Sequence, residues 1–140
     1  MADMIVGGVT GQTPVRIYFE DTDVGGIVYY ANYLRYAERA RSELLREVGV
    51  ESSDLMAEHR LALAVRRCLV NYLKPAKLDD LLMVDTAVVR VGGASIELRQ
   101  RIYRNDEMLV DMEIKLAGLD LDTGRPRALP QILRTCLMKN

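Results

Sequence analysis

The sequence predicts an α+β fold in which one long helix is wrapped by a curled antiparallel sheet of five strands. Three observations carry that expectation. Apolar residues alternate with period two in residues 14–20 and again beyond His59, but recur at spacings of three and four between Tyr33 and Val48. Clusters of Gly, Asp, Asn and Pro punctuate these periodic stretches. A single helix cannot cover both faces of five strands, so the economical arrangement curls the sheet around it and leaves a face or edge for another chain.

Residues 1–13 read as a flexible leader, and residues 14–140 as one domain. In residues 14–20, Val15, Ile17 and Phe19 share one face, while Arg16, Tyr18 and Glu20 share the other, as in a strand with one wet side. Asp21 to Gly26 are turn-formers and end it. The helix follows. Tyr33, Ala37, Ala40, Leu44 and Val48 form its apolar stripe, Asn32 is the expected N-cap, and Gly49 the expected C′ stop. A short helical turn starts at Ser52 or Ser53. Long strands are then expected from Leu61 to Lys74-Pro75 and over about residues 81–91, 95–104 and 108–120, forming a meander. Gly92-Gly93 is expected to make a tight primed turn, Asn105-Asp106 the next turn, and Pro130 to open a terminal helix.

Composition narrows the function classes. The chain has 140 residues, of which 49% are apolar and 28% charged, enough to build a core without disulfides or metals. Lys and Arg total 19 against 20 Asp and Glu, a balance unlike that of a dedicated nucleic-acid binder. No apolar run approaches the roughly 20 residues that span a bilayer, and the first residues lack the features of a signal peptide. Cys68 and Cys136 stand alone in sequence and read as buried or half-buried thiols, which suits a reducing cytoplasm.

Only residues 20–30 are dense in unusual choices: three carboxylates close a strand, two glycines follow, and a helix begins. Unpaired N–H groups at a helix start carry partial positive charge and stabilise an oxyanion. Glycine lets backbone approach a ligand, and a nearby carboxylate serves as general base or nucleophile. The plain alternative is that Asp21 and Asp23 are turn-formers and caps. A calcium loop does not fit, since Gly25 and Asn32 occupy positions that need oxygen-rich ligands.

Residues 15–48, VRIYFEDTDVGGIVYYANYLRYAERARSELLREV, resemble the 4-hydroxybenzoyl-CoA thioesterase family, and more narrowly the YbgC-type acyl-CoA thioesterases associated with the Tol–Pal system. The pattern D-x-D-x-x-G-[IV]-V-[YF]-x-x-[NS]-Y carries the resemblance. It continues through Val65-Arg66-Arg67, Tyr72-x-x-Pro75-Ala76-x-Leu78-Asp79-Asp80 and the stretch from Lys115 to Pro130. The resemblance implies a hotdog fold, a homodimer or homotetramer, and hydrolysis of acyl-CoA without metal or organic cofactor. It makes Asp23 the catalytic residue, with Asp21 and Glu20 supporting it, Gly26 allowing close approach, and the Tyr30 N–H polarising the thioester carbonyl. Tyr30 departs from the YbgC pattern, which usually has His there; a phenol with a pKa of about 10 does little acid–base work at neutral pH.

The single histidine, His59, matches no family position, and no G-x-S-x-G elbow exists, which excludes an α/β-hydrolase mechanism. Arg66, Arg67, Arg125 and Arg127 are candidates for the CoA phosphates. The competing function is a non-catalytic hotdog module that docks acyl carrier protein or phospholipid-synthesis enzymes. A hotdog hydratase would need a histidine near the helix start, where there is none.

Overall fold

The structure, a computed structural model, describes residues 7–138. Strand β1 (Thr10–Arg16) leads through a 3₁₀ turn (Phe19–Asp21) to helix α1 (Asn32–Glu47) and helix α2 (Ser52–His59). Strands β2 (Leu61–Tyr72), β3 (Leu81–Val91), β4 (Ser95–Arg104) and β5 (Glu107–Asp120) follow, then helix α3 (Gln131–Leu137). All five strands form one antiparallel sheet in the order β1-β3-β4-β5-β2.

This order corrects the expected four-strand meander. β3, β4 and β5 do form hairpins, but β2 pairs with β5, and β1 takes the place beside β3. The connection 73–80 therefore crosses the sheet, and β1 and β2 are its two edges. The first strand is also displaced. It starts at Thr10, inside the span read as leader, and ends at Arg16; residues 1–6 of that leader lie outside the described residues. Before Val15 its helix-facing positions are Gly11 and Thr13, which carry no apolar signal. Phe19, assigned by alternation to the buried face, is 81% exposed because the chain has already turned into the 3₁₀ segment.

α1 buries Tyr33, Tyr36, Ala37, Ala40, Leu44 and Leu45. They meet every second residue of the sheet's inner face, among them Leu82, Val84, Ile96, Leu98, Ile102, Val110 and Met112. Each such side chain contributes about 1.5–3 kcal/mol when removed from water. The helix stops at Gly49 (φ 89°), where Val50 N–H donates to Leu45 O and Gly49 N–H to Arg46 O. At its start Ala31, not Asn32, is the cap residue; Asn32 is the first helical residue, and its Nδ2 donates to Asp21 O at 3.0 Å.

Neither Gly92 nor Gly93 has positive φ, so the β3–β4 connection is a three-residue loop rather than a primed turn. Cys68 is exposed on β2 and Cys136 is half-buried; Cys68 escapes burial because it lies on an edge strand, beyond the stretch around Leu61–Leu63 that α2 covers. No described helix is long and apolar enough to cross a membrane.

Candidate active site

Residues 21–30 form a small hairpin. Thr22 and Val28 bridge, Asp23 N–H donates to Ile27 O at 2.9 Å, and Gly26 N–H to Asp23 O at 3.1 Å. Gly26, at φ 76°, makes the tip possible, since a side chain there is strained. Val28 is 3% exposed and anchors the hairpin in the core, while residues 23–27 are exposed.

Asp23 Oδ1 accepts the Gly25 N–H at 2.9 Å and makes no ion pair among the described residues. Its carboxylate is therefore held only by its own turn and faces outward in the single chain. Asp21 has another use. Its Oδ2 accepts the Tyr18 N–H at 2.8 Å, and its backbone carbonyl accepts from Tyr29 N–H and Asn32 Nδ2. Asp21 thus ties the strand end to the helix start, a supporting role. Beyond the hairpin, the N–H groups of Tyr30 and Ala31 find no acceptor among the described residues, as the first amides of a helix do not. Asp23 and these open amides stand on either side of one short hairpin.

Sequence reasoning missed an aromatic cluster beside them. Tyr30 sits 6.0 Å from Tyr72, edge to face, and Tyr72 is 5.8 Å from Tyr33. Tyr30 is 60% exposed and Tyr72 also faces outward, whereas Tyr33 is buried. Desolvation raises the Tyr33 and Tyr72 pKa values, so these hydroxyls stay protonated. The buried Tyr36 hydroxyl faces the Asp21 carboxylate; burial, and then its interaction with that carboxylate, raise its pKa too. The tyrosines at 33 and 72 belong to the quoted motifs, and that was the available signal.

The basic candidates do not converge on Asp23 within one chain. Arg66 is the extra residue of a bulge in β2, and Arg66 and Arg67 are exposed. Arg127 donates to the carbonyl of His59 and so caps α2, with Asp120 at 4.0 Å. Arg125 and Arg127 follow the end of β5, which pairs with the start of β2 at Leu61, whereas the hairpin docks on residues that follow Tyr72. At about 3.3 Å per residue, the length of β2 separates them. A groove of about 570 Å³ between β1 and α1, lined by Arg16, Tyr18, Glu20, Asp21 and Arg39, touches the motif at its first acids only.

A sequence profile of the thioesterase-like superfamily matches residues 17–137. The acyl-CoA thioesterase YbgC of Haemophilus influenzae is 48% identical over 118 residues, covering 84% of this chain and 87% of that protein. A probable thioesterase from Bartonella henselae superimposes with a TM-score of 0.83 at 35% identity, covering 87% of this chain and all of that one. A 4-hydroxybenzoyl CoA thioesterase mutant complexed with 4-hydroxybenzoyl CoA shares the hotdog fold at a TM-score of 0.84 and 20% identity, covering 91% and 98% of the two chains. With its hotdog sheet, its carboxylate hairpin and these relatives, the chain belongs to the thioesterase-like superfamily and, within it, to the YbgC acyl-CoA thioesterases.

Proposed function

We propose that this protein hydrolyses acyl-CoA thioesters to the free acid and CoA, using Asp23 and no metal. The observation that carries the reading is that, among the described residues, the Asp23 carboxylate has no cation partner and the Tyr30 N–H that follows the same hairpin has no acceptor. As a general base, Asp23 takes a proton from water while the oxygen attacks the thioester carbonyl carbon. As a nucleophile, its carboxylate attacks directly and water later cleaves the anhydride. In both routes the carbonyl oxygen becomes an oxyanion that accepts the Tyr30 N–H, the C–S bond breaks, and CoA leaves as a thiolate that takes up a proton. Gly26 lets the acyl-thioester approach the backbone. The relatives, named as thioester hydrolases, weigh against a docking module without activity.

The site is completed between two copies of the chain. β2 is a 12-residue edge strand on which Val65, Leu69 and Tyr72 are exposed, and such an edge seeks pairing. An antiparallel match of two β2 edges would bring the start of one against the end of the other. Arg125 of a second copy would then approach the tyrosine cluster, where a CoA phosphate needs a cation. The two free thiols suit a cytoplasmic location.

A thiol-release assay over a panel of acyl-CoAs tests the reading. Wild type should release CoA, and Asp23→Asn should lower kcat at least about 100-fold with the melting temperature nearly unchanged. Release of no thiol from any acyl-CoA by the wild type would overturn it.

A further inference from the structure

The carboxylate of Asp23 bonds only within its own turn, so something else must fix its distance from the start of α1. The hairpin leans on the connection 73–80. Val28 N–H donates to Ala76 O at 2.9 Å, Ile27 bridges Lys77, and Leu78 N–H reaches Gly26 O at 3.4 Å. Ala76 is fully buried, and its own N–H donates to the Tyr33 hydroxyl oxygen at 2.9 Å. One peptide residue thus joins the hairpin on one side to α1 on the other. Tyr33 lies one helical turn beyond Tyr30, so the helix start that offers the open amide also holds the hairpin that carries the carboxylate.

The same connection is pinned from outside. Asp80 Oδ2 accepts the Lys77 N–H at 2.8 Å and Arg104 Nη1 at 2.7 Å, and Arg104 Nη2 bonds Glu107 at 2.6 Å. Ile17 N–H donates to Asp80 O and Asp79 N–H to Ile17 O, which locks it to the end of β1. The connection is therefore a rigid spacer rather than a free loop.

We propose that Tyr33 is a positioning residue: by accepting the Ala76 N–H, its hydroxyl oxygen sets the register of the Asp23 hairpin against the helix amides. This rests on the assignment of Asp23 as the reacting carboxylate. A misplacement of about 1 Å can cost about 100-fold in rate, so a hydroxyl that never touches substrate still governs turnover.

The test is steady-state kinetics well below the melting temperature, on Tyr33→Phe, Asp23→Asn and the double variant. Tyr33→Phe keeps the ring and removes the acceptor; it should lower kcat about 10–100-fold and leave KM within about threefold. In the Asp23→Asn background the same change should cost nothing further, because the group being positioned is gone.

Normal kcat in Tyr33→Phe, beside an inactive Asp23→Asn, overturns the inference alone. So does an equal loss in both backgrounds. Full turnover in Asp23→Asn removes the reading of the site, and the inference with it. If Tyr33→Phe does not fold, Asp80→Ala releases the spacer from its outer side. The same fall in kcat at constant KM is expected there, and wild-type kcat overturns the inference.

Discussion

Gln100, in the middle of β4, donates its side-chain Nε2 to the backbone carbonyl of Ala37 in α1 at 2.9 Å. The same nitrogen donates to Thr86 Oγ1 at 2.9 Å, and Arg41 Nη1 donates to the Gln100 oxygen at 2.9 Å. Gln100 is fully buried, so a polar joint holds the helix to the sheet inside an otherwise apolar core. Gln100→Leu should strand the Arg41 donor and the Thr86 hydroxyl and cost about 1–3 kcal/mol in urea unfolding. An unchanged midpoint would show that water replaces the amide.

Asp111 supplies a pH signature. Arg99 grips it through Nε at 2.9 Å and Nη2 at 2.7 Å, and Arg101 Nε stands at 3.3 Å. The Arg99 bonds hold its carboxyl below the ordinary carboxylate range, against the opposing effect of burial. A folded-state pKa below the unfolded one means stability that is present above pH about 4 and lost as pH falls through the folded value. Melting curves of Asp111→Asn should therefore lose less stability between neutral and acid pH than wild type does. Parallel curves would remove Asp111 from the acid sensitivity.

The β2 edge should govern assembly. Leu69→Lys places a charge on an exposed apolar position of the edge strand and should shift the particle toward a monomer. Light scattering after size exclusion reads this directly. A monomeric wild type at micromolar concentration would argue against a site shared between copies.

Gly26→Ala isolates backbone strain. No atom lies within 4 Å of the added Cβ, so the only cost is the left-handed φ of 76°, about 1–2 kcal/mol. Tm should fall by a few degrees; an unchanged Tm would mean that the hairpin tip relaxes freely.

Tyr30→Phe separates hydroxyl from amide. The variant retains the N–H and the edge-to-face contact with Tyr72, so kcat should stay within about threefold of wild type. A fall of 100-fold would assign chemistry to the phenol.

Taken by itself, the sequence determined the element types, the β3 and β4 spans, the Gly49 stop and the family. Each of these is written in local periodicity, turn residues or a contiguous motif. It misjudged the first strand because the inward positions before Val15 are Gly11 and Thr13, which show no apolar alternation, and Phe19 offered alternation without burial. Only the tertiary structure decided that β2 pairs with β5, that residues 73–80 lie beneath the hairpin, and that Tyr33 reaches Ala76. Period reports which face of an element is apolar, whereas these choices join residues tens of positions apart through backbone groups that every residue carries alike.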